Sequence, residues 1–418
     1  MWLLGQMLRR IFRHGTLIVI DQRGAAHAFS DGRAPTVKIR LHDGALARRL
    51  LFDPALAVGE AFMDGSLTIE DGDIAGFLDL ATRNMGWGDV EHWAARLAQV
   101  VRKMGRRIAQ HNPIGTAQRN VAHHYDLNGA LYDLFLDRDR QYSCAYFMQP
   151  DDSIDKAQAQ KKRHLAAKLL LKPGQKVLDI GSGWGGLGLY LAEVGGGEVT
   201  GVTLSEEQLK VARQRAHDAG VEKRVNFKLL DYRQETGKFD RIVSVGMFEH
   251  VGVGHYREFF EKIRDLLTDD GVALLHSIGR ADGPGATNPW VAKYIFPGGY
   301  SPALSEVIPF IERAGLHITD IEILRLHYAE TLLHWRRRFN ANRSKIAQLY
   351  DERFCRMWEF YLAASETAFR NSGHMNFQIQ LSKKLQAVPL TRDYITDFER
   401  SHALADMPAG PRNVSLGE

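Results

Sequence analysis

From Lys172 onward the chain repeats one pattern: an apolar run of strand length, a turn, then a stretch of helical period. The runs are KVLDI (176–180), EVTGVTL (198–204), VNFKLLD (225–231), FDRIVSVG (239–246) and GVALLHSI (271–278). Each is hydrophobic nearly throughout, as a strand covered on both faces must be. Such strands alternating with helices predict an α/β fold built on a mostly parallel sheet. Two later runs, HITDIEILRLH (317–327) and NFQIQLSKK (376–384), are expected to add edge strands. The long helical insertion between them is expected to form a lid.

Upstream the texture changes. Residues 1–110 mix short apolar strands, TLIVI and TVKIRL, with a helical stretch, and read as a smaller amino-terminal domain. Residues 111–170 read as a linker and capping segment, 171–390 as the main α/β domain, and 391–418 as a tail.

The first residues, MWLLGQMLRRIFRHG, are not expected to act as a signal peptide, because Gln6, Arg9 and Arg10 break the apolar run. Nor does any window approach the roughly 18 unbroken apolar residues of a membrane span. Leu4, Met7, Leu8 and Ile11 do share a helical face, which predicts an amphipathic helix packed on the protein itself, with an interfacial helix as the second reading. A net charge of +4 calls for no polyanionic partner, and none of the nucleic-acid class is expected. Two local basic clusters stand out: Arg102, Lys103, Arg106 and Arg107, and WRRRFNANRSK (335–345). On charge alone both read as solvated helix faces. With two cysteines, Cys144 and Cys355, a disulfide scaffold and a cysteine-only zinc site are excluded, and a reducing cytoplasm is the simplest compartment. Cys144, in QYSCAYF (141–147), could be a nucleophile, a metal ligand, a disulfide half, or a small residue whose backbone matters.

VLDIGSGWGG (177–186) places Gly181, Gly183, Gly185 and Gly186 where the first strand meets its helix, letting a ligand approach the backbone closely. Glycine-rich turns serve dinucleotides and nucleosides alike, and a tight turn alone would also call for them. Here Asp179 precedes the glycines, and no acid ends the second strand, where a dinucleotide fold holds its ribose. The third strand ends in Asp231-Tyr232, suited to an adenine edge and face. Together these fit S-adenosylmethionine better than NAD. Chemistry in such a sheet occurs at the carboxyl ends of the strands. Strand four ends GMFEHVG (246–252) and strand five LLHSIG (274–279), so Glu249 and His276 are expected on one rim. Singly, each has a plain explanation, a solvated carboxylate or a satisfied core histidine. At adjacent strand ends they point to function.

At this point the sequence resembles the cyclopropane-fatty-acyl-phospholipid synthases and their mycolic-acid relatives. The stretches that carry the likeness are HHYDLNGALYDLFLD, QYSCAYF, KVLDIGSGWGG, GVTLSEEQ, FDRIVSVGMFEHVG, LLHSIG, NPWVAKYIFPGG and LHYAETLLHW, in matched order over most of residues 120 to 380. VGEAFMDGSLTIEDGD (58–73) is similar to the amino-terminal domain of the phospholipid enzymes, which the mycolic-acid members lack. The resemblance implies a class I S-adenosylmethionine-dependent methyltransferase, Rossmann-like, with a helical lid and a lipid-associated amino-terminal domain. It implies methylene transfer to the cis double bond of an unsaturated phospholipid, with bound bicarbonate as the base. Glu249, His276 and Tyr328, with main-chain groups of Cys144 and Ile278, match the bicarbonate positions. Tyr142, Ser143, Asp179, Gly181, Gly183, Thr203, Gln208, Asp231 and Tyr232 match the cofactor positions. No metal is implied. A homodimer on the cytoplasmic face of the membrane is, and beside a membrane Arg102 to Arg107 and Arg336 to Arg338 become expected headgroup contacts. Ser182 and Ser365 stand where many relatives carry cysteine, and the second argues against a thiol mechanism there. The alternative product is a methyl or methylene branch formed without ring closure, and a lipid-binding module without catalysis is the alternative of another class.

Overall fold

The computed structural model describes residues 1–85 and 129–403. The basic run around Arg102 to Arg107, the first part of HHYDLNG and the expected boundary near residue 110 lie outside them.

The larger sheet has seven strands: β5 (Lys176–Ile180), β6 (Glu198–Thr203), β7 (Val225–Leu229), β8 (Phe239–Val245), β9 (Leu267–Arg280), β10 (His317–Ile323) and β11 (His374–Ser382). Their order is β10-β11-β9-β8-β5-β6-β7. From β7 to β9 all neighbours are parallel, and β11 runs antiparallel to both β9 and β10. Strand order reverses between β5 and β8, which opens a crevice at their carboxyl ends. The fold is thus the expected α/β class. One expectation needs correcting: β10 is an edge strand, but β11 is not, being inserted between β9 and β10. Its alternating Asn376, Gln378 and Gln380 are consequently all buried.

A second, four-stranded sheet, β2-β1-β3-β4, is formed by β1 (Thr16–Ile20), β2 (Ala26–Ser30), β3 (Thr36–Leu41) and β4 (Leu67–Asp71). The helix Trp2–Ile11 packs beside it, burying Leu4 and resting Met7, Leu8 and Ile11 on the core, while Trp2 and Leu3 stay exposed. The face read from the sequence is therefore the packing face.

The insertion consists of helices His327–Ala341, Arg343–Leu349 and Glu352–Asn371. The last packs against two helices of the amino-terminal region, Pro54–Asp64 and Ile74–Met85. At this seam Gly59 lies so close to Trp290 and Phe360 that a Cβ there would come within 2.5 Å of the indole. The indole is fully buried and its Nε1 donates to Met63 Sδ at 3.2 Å. Lys293 Nζ and Tyr294 OH both donate to Glu60 Oε1, at 2.7 and 2.9 Å. No helix among the described residues is long and apolar enough to cross a membrane.

Candidate active site

The crevice at the switch point is a pocket lined by the ends of β5, β6, β7 and β8 and by residues 140–143. Gly181 turns the chain with φ 83°, and a Cβ there would meet Met247 at 2.9 Å. Gly183 follows at φ 54°, so both positions demand glycine for their backbone. Asp179 lies beneath them, buried, and its Oδ2 has no partner among the described residues. Burial raises its carboxyl to about 7, an effect the Lys161 ammonium partly offsets. Thr203 Oγ1 donates to Gln208 Oε1 at 2.8 Å, and both line the pocket. Asp231 and Tyr232 line its far end. The Asp231 carboxylate already accepts from Arg233 Nε and Nη2, at 2.8 and 2.7 Å. Tyr142 and Ser143 complete the wall. All nine sequence-derived cofactor candidates thus line one cavity.

Of the other five candidates, Glu249, His276 and Ile278 sit at the ends of β8 and β9, while Cys144 lies on the loop after Gln141 and Tyr328 on the helix His327–Ala341. Glu249 Oε1 accepts from the Ile278 amide at 2.6 Å, joining two residues 29 apart in sequence. Its Oε2 is buried without a partner, and burial raises the carboxyl to about 7. His276 lies two residues before Ile278, hence on the same face of β9. Gln378 Nε2 donates to its Nδ1 at 3.1 Å. An amide nitrogen only donates, so the neutral ring carries its proton on Nε2, which is buried and unpartnered. Burial holds His276 well below its usual range, keeping it neutral. Cys144 is fully buried and burial pushes its thiol far up, so it is no thiolate nucleophile. The next amide, Ala145, donates to Thr331 Oγ1 at 3.0 Å, tying the loop to the helix that carries Tyr328. Tyr328 packs on Trp335, and Trp335 on Tyr142, with ring centroids 5.9 and 5.1 Å apart. Tyr142 OH and Tyr361 OH share a hydrogen bond of 2.9 Å. Aromatic rings therefore gather on the loop and lid side.

A buried donor or acceptor without a partner calls for an explanation, an ordered water or a bound ligand among them. Here Asp179 Oδ2 lies in the crevice, while Glu249 Oε2 and His276 Nε2 belong to the rim of β8 and β9. Among the described residues no three histidine, cysteine or carboxylate side chains gather as metal ligands.

Residues 114–379 match the family described as mycolic acid cyclopropane synthetase. The chain belongs to this family. It is 36% identical over 356 residues to the cyclopropane-fatty-acyl-phospholipid synthase of Escherichia coli, covering 85% of this chain and 90% of that one. It is also 36% identical over 381 residues to a probable fatty acid methyltransferase of Pseudomonas putida, 87% and 93% covered. Both alignments run well beyond the 114–379 core, so they take in part of the amino-terminal region. Among solved structures, the mycolic acid cyclopropane synthase CmaA1 of this family, complexed with SAH and CTAB, superposes with a TM-score of 0.60 at 32% identity. It covers 63% of this chain and 97% of that one, and the sheet is that of the S-adenosylmethionine-dependent methyltransferases.

One expectation about the synthase changes in part, for Arg336 and Arg338 but not for Arg337, which is exposed between them. Arg336 and Arg338 are not free for headgroups: Arg336 pairs with Glu366 at 3.0 Å, and Arg338 with Asp155 at 2.5 Å and the Leu136 carbonyl at 2.6 Å. Their helix is packed on the protein, so internal carboxylates neutralise them. Sequence reading also missed Gln158, Lys161 and Gln378. The first two sit in KAQAQKKRH, which looks like a solvated helix, yet both are fully buried. Glutamines alternating inside an otherwise apolar strand were the signal for Gln378.

Proposed function

We propose that this enzyme adds a methylene group from S-adenosylmethionine across the cis double bond of an unsaturated phospholipid acyl chain, closing a cyclopropane ring. The observation that carries the reading is the pair of orphaned buried atoms, Glu249 Oε2 and His276 Nε2, on one rim beside the cofactor crevice. S-adenosylmethionine supplies an electrophilic methyl on a sulfonium centre, and bicarbonate supplies a small base for the proton that must leave before the ring closes. Glu249, His276 and Tyr328, with the backbone at Cys144 and Ile278, would hold that anion. The fit is chemical: the His276 Nε2 proton is a donor, and Glu249 Oε2, protonated at about pH 7, can donate or accept. A double bond is a weak nucleophile, so position and exclusion of water matter most. Positive charge that develops on the acyl chain would be stabilised by an aromatic face, a role open to Tyr142, which lines the pocket.

A second reading has a specific observation behind it. The P. putida relative is named a fatty acid methyltransferase, at the same identity as the E. coli synthase. C-methylation that leaves a methyl or methylene branch uses the same cofactor and acceptor. Purified protein with labelled S-adenosylmethionine and cis-unsaturated phospholipid vesicles, with and without bicarbonate, separates the two. A product one methylene heavier that resists mild hydrogenation, formed only with bicarbonate, is expected. A branched or hydrogenatable product moves the enzyme to the second reading.

The enzyme meets its substrate as a peripheral homodimer on the inner face of the membrane. Exposed Trp2 and Leu3, with Arg9 and Arg10 on the same helix, support such contact. Sedimentation with anionic vesicles should weaken on Trp2→Ser with Leu3→Ser, and unchanged sedimentation removes this helix from the contact.

A further inference from the structure

Lys161, on the helix Ile154–Lys168, is fully buried behind the crevice. Its Nζ donates to Gln141 Oε1 at 2.6 Å and to Ser143 Oγ at 2.9 Å. Both partners line the pocket. One turn earlier, Gln158 Nε2 donates to the Ser143 carbonyl at 2.9 Å and the Gln141 carbonyl at 3.2 Å, so the loop is held at backbone and side chain.

This geometry fixes a polarity. A lysine ammonium donates and never accepts. Ser143 Oγ must therefore accept from Lys161, and its own proton is left to be given elsewhere. Among the described residues nothing takes it, and Ser143 faces the crevice wall. The same crevice holds the unpartnered acceptor Asp179 Oδ2. The pocket wall thus offers a carboxylate acceptor and a hydroxyl donor, and the buried Lys161 cation that backs the hydroxyl also acts on the carboxylate. That is the complement of a zwitterion, an α-ammonium beside an α-carboxylate. Burial lowers the Lys161 ammonium to about 8, and Asp137 and Asp139 nearby oppose that fall, so it stays charged at neutral pH.

We propose that Lys161 is a positioning residue that selects the α-carboxylate of the cofactor's amino-acid end, acting through the Ser143 hydroxyl. This rests on the reading of the crevice as the cofactor's seat. A buried ammonium in this role also explains why a charge is tolerated where a methionine would pack more cheaply.

The test is calorimetric binding of two ligands to the full chain: S-adenosylhomocysteine, and its decarboxylated analogue, which keeps the amine and lacks the carboxylate. Lys161→Met and Ser143→Ala should each weaken S-adenosylhomocysteine by about tenfold or more, the scale of a hydrogen bond to a charged group. The analogue should change by less than about twofold, since it lacks the group being read. Equal losses for both ligands would make Lys161 a scaffold residue and overturn the proposal, as would no loss for either. Should Lys161→Met not fold, Lys161→Gln, which keeps a donor and removes the charge, carries the same comparison. Gly181→Val separates the two levels of inference. If that variant binds S-adenosylhomocysteine like the wild type, the cofactor seat itself is misplaced. If it abolishes binding while Lys161→Met and Ser143→Ala discriminate no differently from wild type, only the role of Lys161 fails.

Discussion

The two halves of the site are built on opposite plans. Along β5, β6 and β7, most polar groups already have partners within the protein: Thr203 with Gln208, Asp231 with Arg233, Ser143 with Lys161. At the ends of β8 and β9, Glu249 and His276 are half satisfied, each with one atom bonded inward and one left bare. Leaving a buried polar atom unpaired costs about 1–3 kcal/mol. The cofactor half keeps one bare carboxylate atom, Asp179 Oδ2, among groups already paired, whereas on the rim of β8 and β9 both polar side chains carry a deficit that a bound polar group would relieve. Donors and acceptors fixed in this way need no reorganisation at the moment of reaction, which is where electrostatic catalysis gains most.

If the halves are separate, substitutions should divide cleanly between them. The largest effect belongs to the reacting half: Glu249→Gln or His276→Ala should lower turnover by about 10²–10⁴-fold. Affinity for S-adenosylhomocysteine, measured by calorimetry, should stay near wild type, and its collapse would break the division. Next comes Asp179, whose raised carboxyl would have to ionise to meet the cofactor's ammonium on the proposed reading. Its proton is held in the free protein up to about pH 7, so affinity should fall about tenfold for each pH unit below that value. Asp179→Asn should flatten the profile, while a profile unchanged in that variant would assign the titration elsewhere.

Smaller again is Gln378→Leu, which removes the donor that fixes the His276 ring; turnover should drop by about tenfold with cofactor affinity untouched. Restoration by Asn is not expected, because the shorter amide falls short of Nδ1. Least of all, Arg338→Ala should lower stability by about 1 kcal/mol, in line with a partly exposed ion pair, and leave vesicle binding unchanged. Vesicle binding lost in a stable Arg338→Ala protein would return that residue to the membrane surface.

How much of this could be read beforehand follows the same division. The cofactor half is contiguous: VLDIGSGWGG carries strand, turn and helix start in ten residues, and its glycines announce the positive φ they adopt. Glu249 and His276 were legible one step further on, because strand ends in a parallel sheet share a rim. What stayed hidden depends on long-range packing. Lys161 looks like any lysine of a charged helix until that helix is found buried against the loop at Ser143. Arg336 and Arg338 looked like a free basic patch until Glu366 and Asp155 met them from elsewhere in the chain. Nor does any local signal say that β11 enters the sheet interior, since a strand's neighbours are set by the path of the whole chain.

The seam at Gly59 has a practical consequence for anyone wishing to trim this enzyme to the residues that match the family, 114–379. A fragment beginning near residue 114 would uncover the indole of Trp290 and the ring of Phe360, which the helix Pro54–Asp64 now covers. It would also leave Lys293 and Tyr294 without Glu60. Such a fragment would present fresh aromatic surface to its own copies and clump during expression, whatever the soundness of its catalytic centre. A workable minimal version would have to redesign that face, replacing the two aromatics with polar residues, before a single nucleotide of the amino-terminal region is deleted.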